Sequence, residues 1–259
     1  MAVKNPEELV KQAEIAALKR HNTSSLKTLI LAFLAGSYIA LGGLLSILVG
    51  GGMPEIALAN PGISKFAMGA VFPLGLILCV IAGADLFTGN TAYFIPPLIS
   101  RSLKFRDLLR NWSLVYIGNF VGALFIGYIL TYQAGVLNQY PWNESLINLA
   151  EAKVNLSFLT VFIKGIGANW LVALAVWLAF AAHDVTGKII AIWFPVMAFV
   201  VMGFEHSVAN MYFIPTAIFH GADISWSSFI FNNLIPATLG NIVGGSLLTG
   251  GIYALVYKN

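Results

Sequence analysis

Six apolar stretches, at roughly residues 27–50, 66–100, 107–133, 157–182, 189–220 and 227–257, fix what this chain can become. Apolar runs of about 20 residues cross a bilayer as helices. Composition agrees: 58% of residues are hydrophobic and 10% charged, against about 25% charged in soluble domains. So little charge cannot cover a globule of this size, and an all-α membrane protein is expected. Two stretches are too long for one crossing. At about 1.5 Å per residue, a helix over 66–100 would reach roughly 52 Å, against a hydrocarbon core of about 30 Å. The 189–220 stretch has the same excess. Each holds a polar interruption, G-A-D-L-F-T-G-N at 83–90 and G-F-E-H-S-V-A-N at 203–210. Broken helices account for both facts, since irregular backbone survives at membrane depth only where protein or a water-filled cavity satisfies it.

The interruptions match as G-x-[DE]-x-x-x-x-N, each with Phe-Pro upstream (Phe72-Pro73, Phe194-Pro195) and proline downstream (Pro96-Pro97, Pro215). The next stretch repeats too. N-W-S-L-V-Y-I-G-N-F-V-G at 111–122 and N-L-I-P-A-T-L-G-N-I-V-G at 233–244 are identical at five of twelve positions, offset by 122. A three-helix unit is written twice, over about 27–133 and 157–257. Three is odd, so the second copy enters with opposite polarity. The expectation is six transmembrane helices as an inverted 3+3 repeat, with the second and fifth helices broken. In such folds the functional site lies near the midplane, where discontinuous helices meet.

An intramembrane ionisable residue is a functional-site candidate by default. Asp85 and Glu205 hold equivalent positions, so both are read as structural carboxylates accepting backbone N–H groups freed at the half-helix starts, in preference to a direct role in transport for either acid. His206 breaks the symmetry, because its counterpart is Leu86. The repeat itself needs no histidine there. A pore-lining role is preferred over a buried neutral core imidazole, and its titration range suits a proton donor near neutral pH. Thr88 is placed to hydrogen-bond that imidazole or, alternatively, its own helix. Asn119 and Asn241 read as interhelical hydrogen-bonders, with small residues around them for close packing. Asn169 is left open. Lys153, in an outer loop, reads by default as a solvated charge.

Residues 1–25 form a separate N-terminal amphipathic helix, capped by Asn5, Pro6 and Glu8, with a weak stripe of Leu9, Ala13, Ala16 and Ala17. It lies on the membrane interface or packs on protein. It has no signal-peptide core. Residues 26–259 make one transmembrane channel domain. With the N-terminus inside, the inner segments hold Lys4, Lys11, Lys19, Arg20, Lys27, Arg101, Lys104, Arg106, Arg110, Lys188 and Lys258. The outer loops hold only Lys65 and Lys153, and Lys164 falls within a span. Both termini are therefore expected in the cytoplasm of a cell-membrane protein. The net charge of +3, without a basic tract, gives no case for nucleic acid. The lone Cys79 excludes a disulfide framework and a cysteine-rich metal site.

Five segments carry a resemblance to a known family: L-G-L-I-L-C-V-I-A-G-A-D-L-F-T-G-N (74–90), N-W-S-L-V-Y-I-G-N-F-V-G-A-L (111–124), A-N-W-L-V-A-L-A-V-W (168–177), G-F-E-H-S-V-A-N-M (203–211) and N-L-I-P-A-T-L-G-N-I-V-G-G (233–245). Together they resemble the formate/nitrite transporter family. The resemblance implies an aquaporin-like protomer in a homopentamer, embedded in the lipid bilayer, with no cofactor. It implies passage of a small weak-acid anion, formate foremost, with nitrite or hydrosulfide as alternatives. It makes His206 the central pore histidine and Thr88 its neighbour. Lys153 and Asn169 would attract and orient the anion, and Phe72, Leu76, Leu86, Val172 and Phe199 would form two apolar constrictions. A bare anion meets a large desolvation penalty between such walls. A proton gained there, supplied by His206, would let a neutral acid pass. The rival keeps the anion charged beside a cationic His206. An intramembrane enzyme is disfavoured: Ser207 adjoins His206 in poor geometry for a nucleophile pair, and no metal motif exists. The N-P-A repeats of water channels are missing as well.

Overall fold

A computed structural model describes residues 3–257; Lys258, one of the expected inner cations, lies outside them. The described residues form helices joined by turns and short loops, with no strand among them. Helix α1 spans Pro6–His21 and starts as its residues dictate. The Asn5 side chain accepts from the Glu8 N–H at 2.9 Å, and Glu8 reaches back to the Asn5 N–H at 3.3 Å. Its stripe of Leu9, Ala13 and Ala17 is buried against protein, on the helices at Phe87–Tyr93, Ile95–Ile99, Phe158–Ala181 and Ile252–Tyr257.

Helix α2 (Ser25–Gly50) is followed by the short α3 (Pro54–Ala59) and by α4 (Pro61–Val71) and α5 (Leu74–Ala82), which meet at Phe72-Pro73 in one apolar stretch of 22 residues. The chain then breaks and resumes as α6 (Phe87–Tyr93) and α7 (Ile95–Ile99). Helix α8 (Phe105–Phe125) widens into a π-helical stretch at Ile126–Gln133. Helix α9 (Trp142–Val154) lies where sequence reading expects only a loop, and leads to α10 (Phe158–Ala181). Helix α11 (Val185–Val201) breaks in its turn before α12 (Ser207–Phe219). The last apolar stretch comprises α13 (Trp226–Ser228), α14 (Ile235–Val243) and α15 (Ile252–Tyr257), joined by π-helical turns at Phe229–Leu234 and Gly244–Gly251.

Among the described residues, five helical stretches are long and apolar enough to cross a membrane: Ser25–Gly50, Pro61–Ala82, Phe105–Gln133, Phe158–Ala181 and Trp226–Tyr257. The remaining apolar region is divided between α11 and α12, each too short alone.

The two halves pack by the same contacts. Helix α8 lies against α2 and α14 against α10. A Cβ on Gly122 would collide with the Phe33 carbonyl, and a Cβ on Gly244 with the Ile166 carbonyl. Only hydrogen fits at either crossing, as expected where backbones approach closely without a hydrophobic drive between helices. Phe33 and Ile166 are 133 residues apart and Gly122 and Gly244 are 122 apart. The halves therefore share geometry but not loop lengths.

Candidate functional site

Each break begins at a glycine in the left-handed region, Gly83 at φ 86° and Gly203 at φ 67°. Side-chained residues avoid this conformation. Ala84–Leu86 and Phe204–His206 then run without helical structure into α6 and α12. Freed backbone groups at this depth need partners, and one asparagine per half supplies them. Asn119 Oδ1 accepts from the Phe87 N–H at 2.9 Å, while its Nδ2 donates to the Asp85 carbonyl at 3.0 Å and the Ala32 carbonyl at 2.8 Å. Asn241 Oδ1 accepts from the Ser207 N–H at 2.8 Å, and its Nδ2 donates to the Glu205 carbonyl at 2.9 Å and the Gly165 carbonyl at 2.8 Å. Both asparagines are wholly buried.

Asp85 and Glu205, expected to accept the half-helix N–H groups, do something else. Asp85 accepts from Asn90 Nδ2 at 2.9 Å and from Arg20 Nε at 2.8 Å. Glu205 accepts from Asn210 at 2.7 Å, Asn233 at 3.1 Å and Lys153 Nζ at 3.0 Å. Asn119 and Asn241 each take one freed N–H, that of Phe87 and of Ser207, and the carboxylates hold cations and asparagine amides instead. Lys153 is accordingly not a solvated loop charge. It sits on α9 with its side chain 12% exposed and paired. Lys65 likewise belongs to a helix, α4. Arg20 and Lys153 are 133 residues apart, so α1 and α9 are counterparts. Sequence reading missed Arg20, Asn90, Asn111, Asn210 and Asn233. The last four stood at identical places in the two matched motifs, which was a usable signal.

Three cavities lie along the breaks. One of about 290 Å³, on the Arg20 side, is bounded by Leu76, Leu86, Gly83, Lys19 and Lys188. One of about 170 Å³, on the Lys153 side, is bounded by Phe72, Phe199, His206, Lys65 and Phe213. Between them a cavity of about 10 Å³ touches Phe72, Leu76, Leu86, Val172, Phe199 and His206, barely room for a water. All five residues expected at constrictions meet His206 there. Leu76 and Leu86 also face the Arg20-side cavity, and Phe72 and Phe199 the Lys153-side one. The Phe72 and Phe199 rings meet edge-on at 5.7 Å, and Phe199 stacks on the imidazole at 5.8 Å.

His206 is 2% exposed. Its Nδ1 accepts from the Ala209 N–H at 3.1 Å, capping α12, and its Nε2 lies 3.0 Å from Thr88 Oγ1. A backbone N–H can only donate, so Nδ1 carries no hydrogen. The neutral ring therefore bears its proton on Nε2 and donates it to Thr88. Asn169 lines none of these three cavities. It is wholly buried, donating to Thr91 Oγ1 at 2.8 Å and to the Asn241 carbonyl at 2.5 Å.

The family profile described as formate/nitrite transporter matches residues 7–255. The chain belongs to the formate/nitrite transporter family. A probable formate transporter of Methanothermobacter thermautotrophicus is 43% identical over 98% of this chain and 97% of its own length. Among solved structures, an FNT family ion channel superposes with a TM-score of 0.86 at 29% identity, covering 95% of this chain and 97% of that one. A pentameric formate channel with formate bound superposes at 0.81 with 34% identity, covering 91% and 98%. This transporter is thus a multi-pass membrane protein of the channel and transporter class, not an enzyme.

Proposed function

We propose that this transporter passes formate, with nitrite or hydrosulfide as alternative substrates, and that one proton accompanies each anion past His206. The substrate reading rests on the relatives named for formate. In the same reading the chain crosses a cell membrane six times as an inverted 3+3 repeat of aquaporin-like form, with both termini cytoplasmic. The matched hydrogen bonds around Asn119 and Asn241 support the repeat. Five protomers assemble, as in the pentameric neighbour.

The observation that carries the mechanism is the pair of bonds on the His206 ring. The eight described residues around the central cavity, Ile39 and Val196 among them, include one polar side chain, His206. A charged anion there would lose most of its hydration without a countercharge. Lys153 does not supply one freely, because Glu205 balances it; its role is to bring a positive pole near the mouth. Phe72 and Phe199 close one side, Leu76 and Leu86 the other, and Val172 the flank. Thr88 Oγ1 accepts the Nε2 proton, leaving its own hydroxyl hydrogen for the anion. As Nε2 releases its proton to Thr88 Oγ1, Thr88 passes its hydroxyl hydrogen to the anion. Nδ1 takes a proton from hydronium in the same step, which opens the Ala209 bond and leaves the ring neutral with its hydrogen on Nδ1. The starting tautomer returns when Nδ1 gives that hydrogen to water and Nε2 takes one back through Thr88, and the Ala209 bond re-forms. The net change is one proton moved from hydronium to the anion, and the acid leaves uncharged.

A permanently cationic His206 is the weaker reading. An imidazolium would turn an N–H at Nδ1 toward the Ala209 N–H, losing a cap worth about 0.5–2 kcal/mol. Formate uptake by proteoliposomes tests the reading. His206→Phe should lower proton-linked uptake roughly a hundredfold, the scale of a lost proton-transfer group. Uptake at the native rate, still accompanied by protons, would refute it.

A further inference from the structure

The two halves can be overlaid residue by residue using offsets of 133 for α2 on α10, 120 for α6 on α12 and 122 for α8 on α14 and its π-helical continuation. The polar groups that hold the breaks obey this overlay: Asn119 with Asn241, Asn90 with Asn210, Asn111 with Asn233, Asp85 with Glu205. A second set violates it. His206 overlays Leu86, Thr88 overlays Val208, Thr91 overlays Met211, Asn169 overlays Gly36, and Ser246 overlays Leu124. These five polar violations are one connected structure. His206 Nε2 meets Thr88 Oγ1 at 3.0 Å, and the Thr88 carbonyl accepts from Thr91 Oγ1 at 2.7 Å. Thr91 Oγ1 accepts in turn from Asn169 Nδ2 at 2.8 Å, and the Thr91 carbonyl accepts from Ser246 Oγ at 2.9 Å. Even the space for the chain departs from the repeat. Gly245 overlays Ala123, and a Cβ on Gly245 would collide with Thr91 Oγ1 and Asn169 Nδ2.

We propose that Thr91, Asn169 and Ser246 are positioning residues for transport, a bracket that holds the first turn of α6 so that the Thr88 hydroxyl stays in register with His206. The physical case is one of location and cost. All three are buried, and each bonds to or within α6 rather than to the His206 ring. The fold does not require them, since the other half closes the same break with Met211, Gly36 and Leu124 in their places. Buried polar groups are costly unless fully paired. Placing them on one side of one break alone therefore serves something that the other break lacks, and what it lacks is the histidine. Short links between three separate elements remove the rotational freedom that Thr88, a residue on the first turn of a half-helix, would otherwise keep. Holding a reacting group in place is worth far more to a rate than to stability.

The inference rests on the proposed passage of formate past His206, so its test has one arm independent of transport. In full-length protein, the imidazole nitrogen resonances of His206 report the Nε2–Thr88 bond directly. Thr91→Val, which keeps shape but removes the hydroxyl, should shift the Nε2 resonance toward that of Thr88→Val. It should also lower the maximal formate rate about tenfold, the scale of one lost buried hydrogen bond, with little change in half-saturating formate. Thr91→Ser should restore both. Ser246→Ala, a milder change, should give the same signature at smaller amplitude if Thr91→Val folds poorly. Unchanged His206 resonances in both Thr91→Val and Ser246→Ala would overturn the proposal. So would a rate loss that Thr91→Ser fails to rescue. Absence of proton-linked formate uptake in the wild-type protein would instead defeat the functional reading, while the resonances would still decide whether the bracket sets Thr88.

Discussion

The break at Gly83–Leu86 and the break at Gly203–His206 are built from the same parts, and they differ at the residue that ends each break and in the polar groups linked to it. Both start at a left-handed glycine, both are closed by one buried asparagine, and both carry a carboxylate paired to a cation from a peripheral helix. At the next position one half has Leu86, with no side-chain cap on α6, and the other His206, whose ring caps α12. In the proposed reading, the matched parts supply a scaffold that satisfies two interrupted helices, and the chemistry is added by departing from that match on one side.

That comparison can be broken at the ion pairs first. Lys153–Glu205 is the more enclosed pair, with side chains 12% and 3% exposed, against 24% and 6% for Arg20–Asp85. Lys153→Met strands a buried carboxylate and should cost about 3–5 kcal/mol in denaturant unfolding of detergent-solubilised protein. Arg20→Met should cost less, about 1–2 kcal/mol, because its pair is partly wet. Adding Glu205→Gln to Lys153→Met should recover much of the loss. Equal costs for the two single variants would mean that the halves are braced alike in energy as well as in geometry.

Next come the asparagines. Asn119→Leu and Asn241→Leu each leave one N–H and two carbonyls without their partner, so each should cost about 3 kcal/mol in the same assay. Their similarity sharpens the claim that this layer is symmetric. Thr88→Val belongs to the asymmetric layer. It should lower formate uptake about tenfold while changing stability by only about 1 kcal/mol, and Thr88→Ser should keep the uptake. The glycines come last. A Cβ on Gly83 or Gly203 meets nothing within 4 Å, leaving only backbone strain, about 1–2 kcal/mol for either Gly→Ala change.

The sequence made the breaks visible because length and polarity had to be reconciled: neither overlong stretch can be one helix. It made His206 visible because a duplication exposes whatever departs from it. The partners of the carboxylates were less legible. Arg20 and Lys153 precede the first helix of each half, where the offset is 133 rather than 122, so the aligned motifs do not pair them. Helix α9 sits in a polar stretch that reads as loop, though Leu146, Ala150 and Val154, all buried, mark a stripe at every fourth residue. Asn169 could not be placed at all from its neighbours. Its role depends on Thr91, 78 residues earlier, and on a gap left by Gly245, and neither is written near it in the chain.

The central claim is that an anion crosses the His206 cavity only with a proton. Its most direct test is the ratio of protons to formate entering liposomes that contain the wild-type protein, read together with membrane current. One proton per formate and no net current is the expected result. Formate entering without protons, and carrying a matching current, would contradict it.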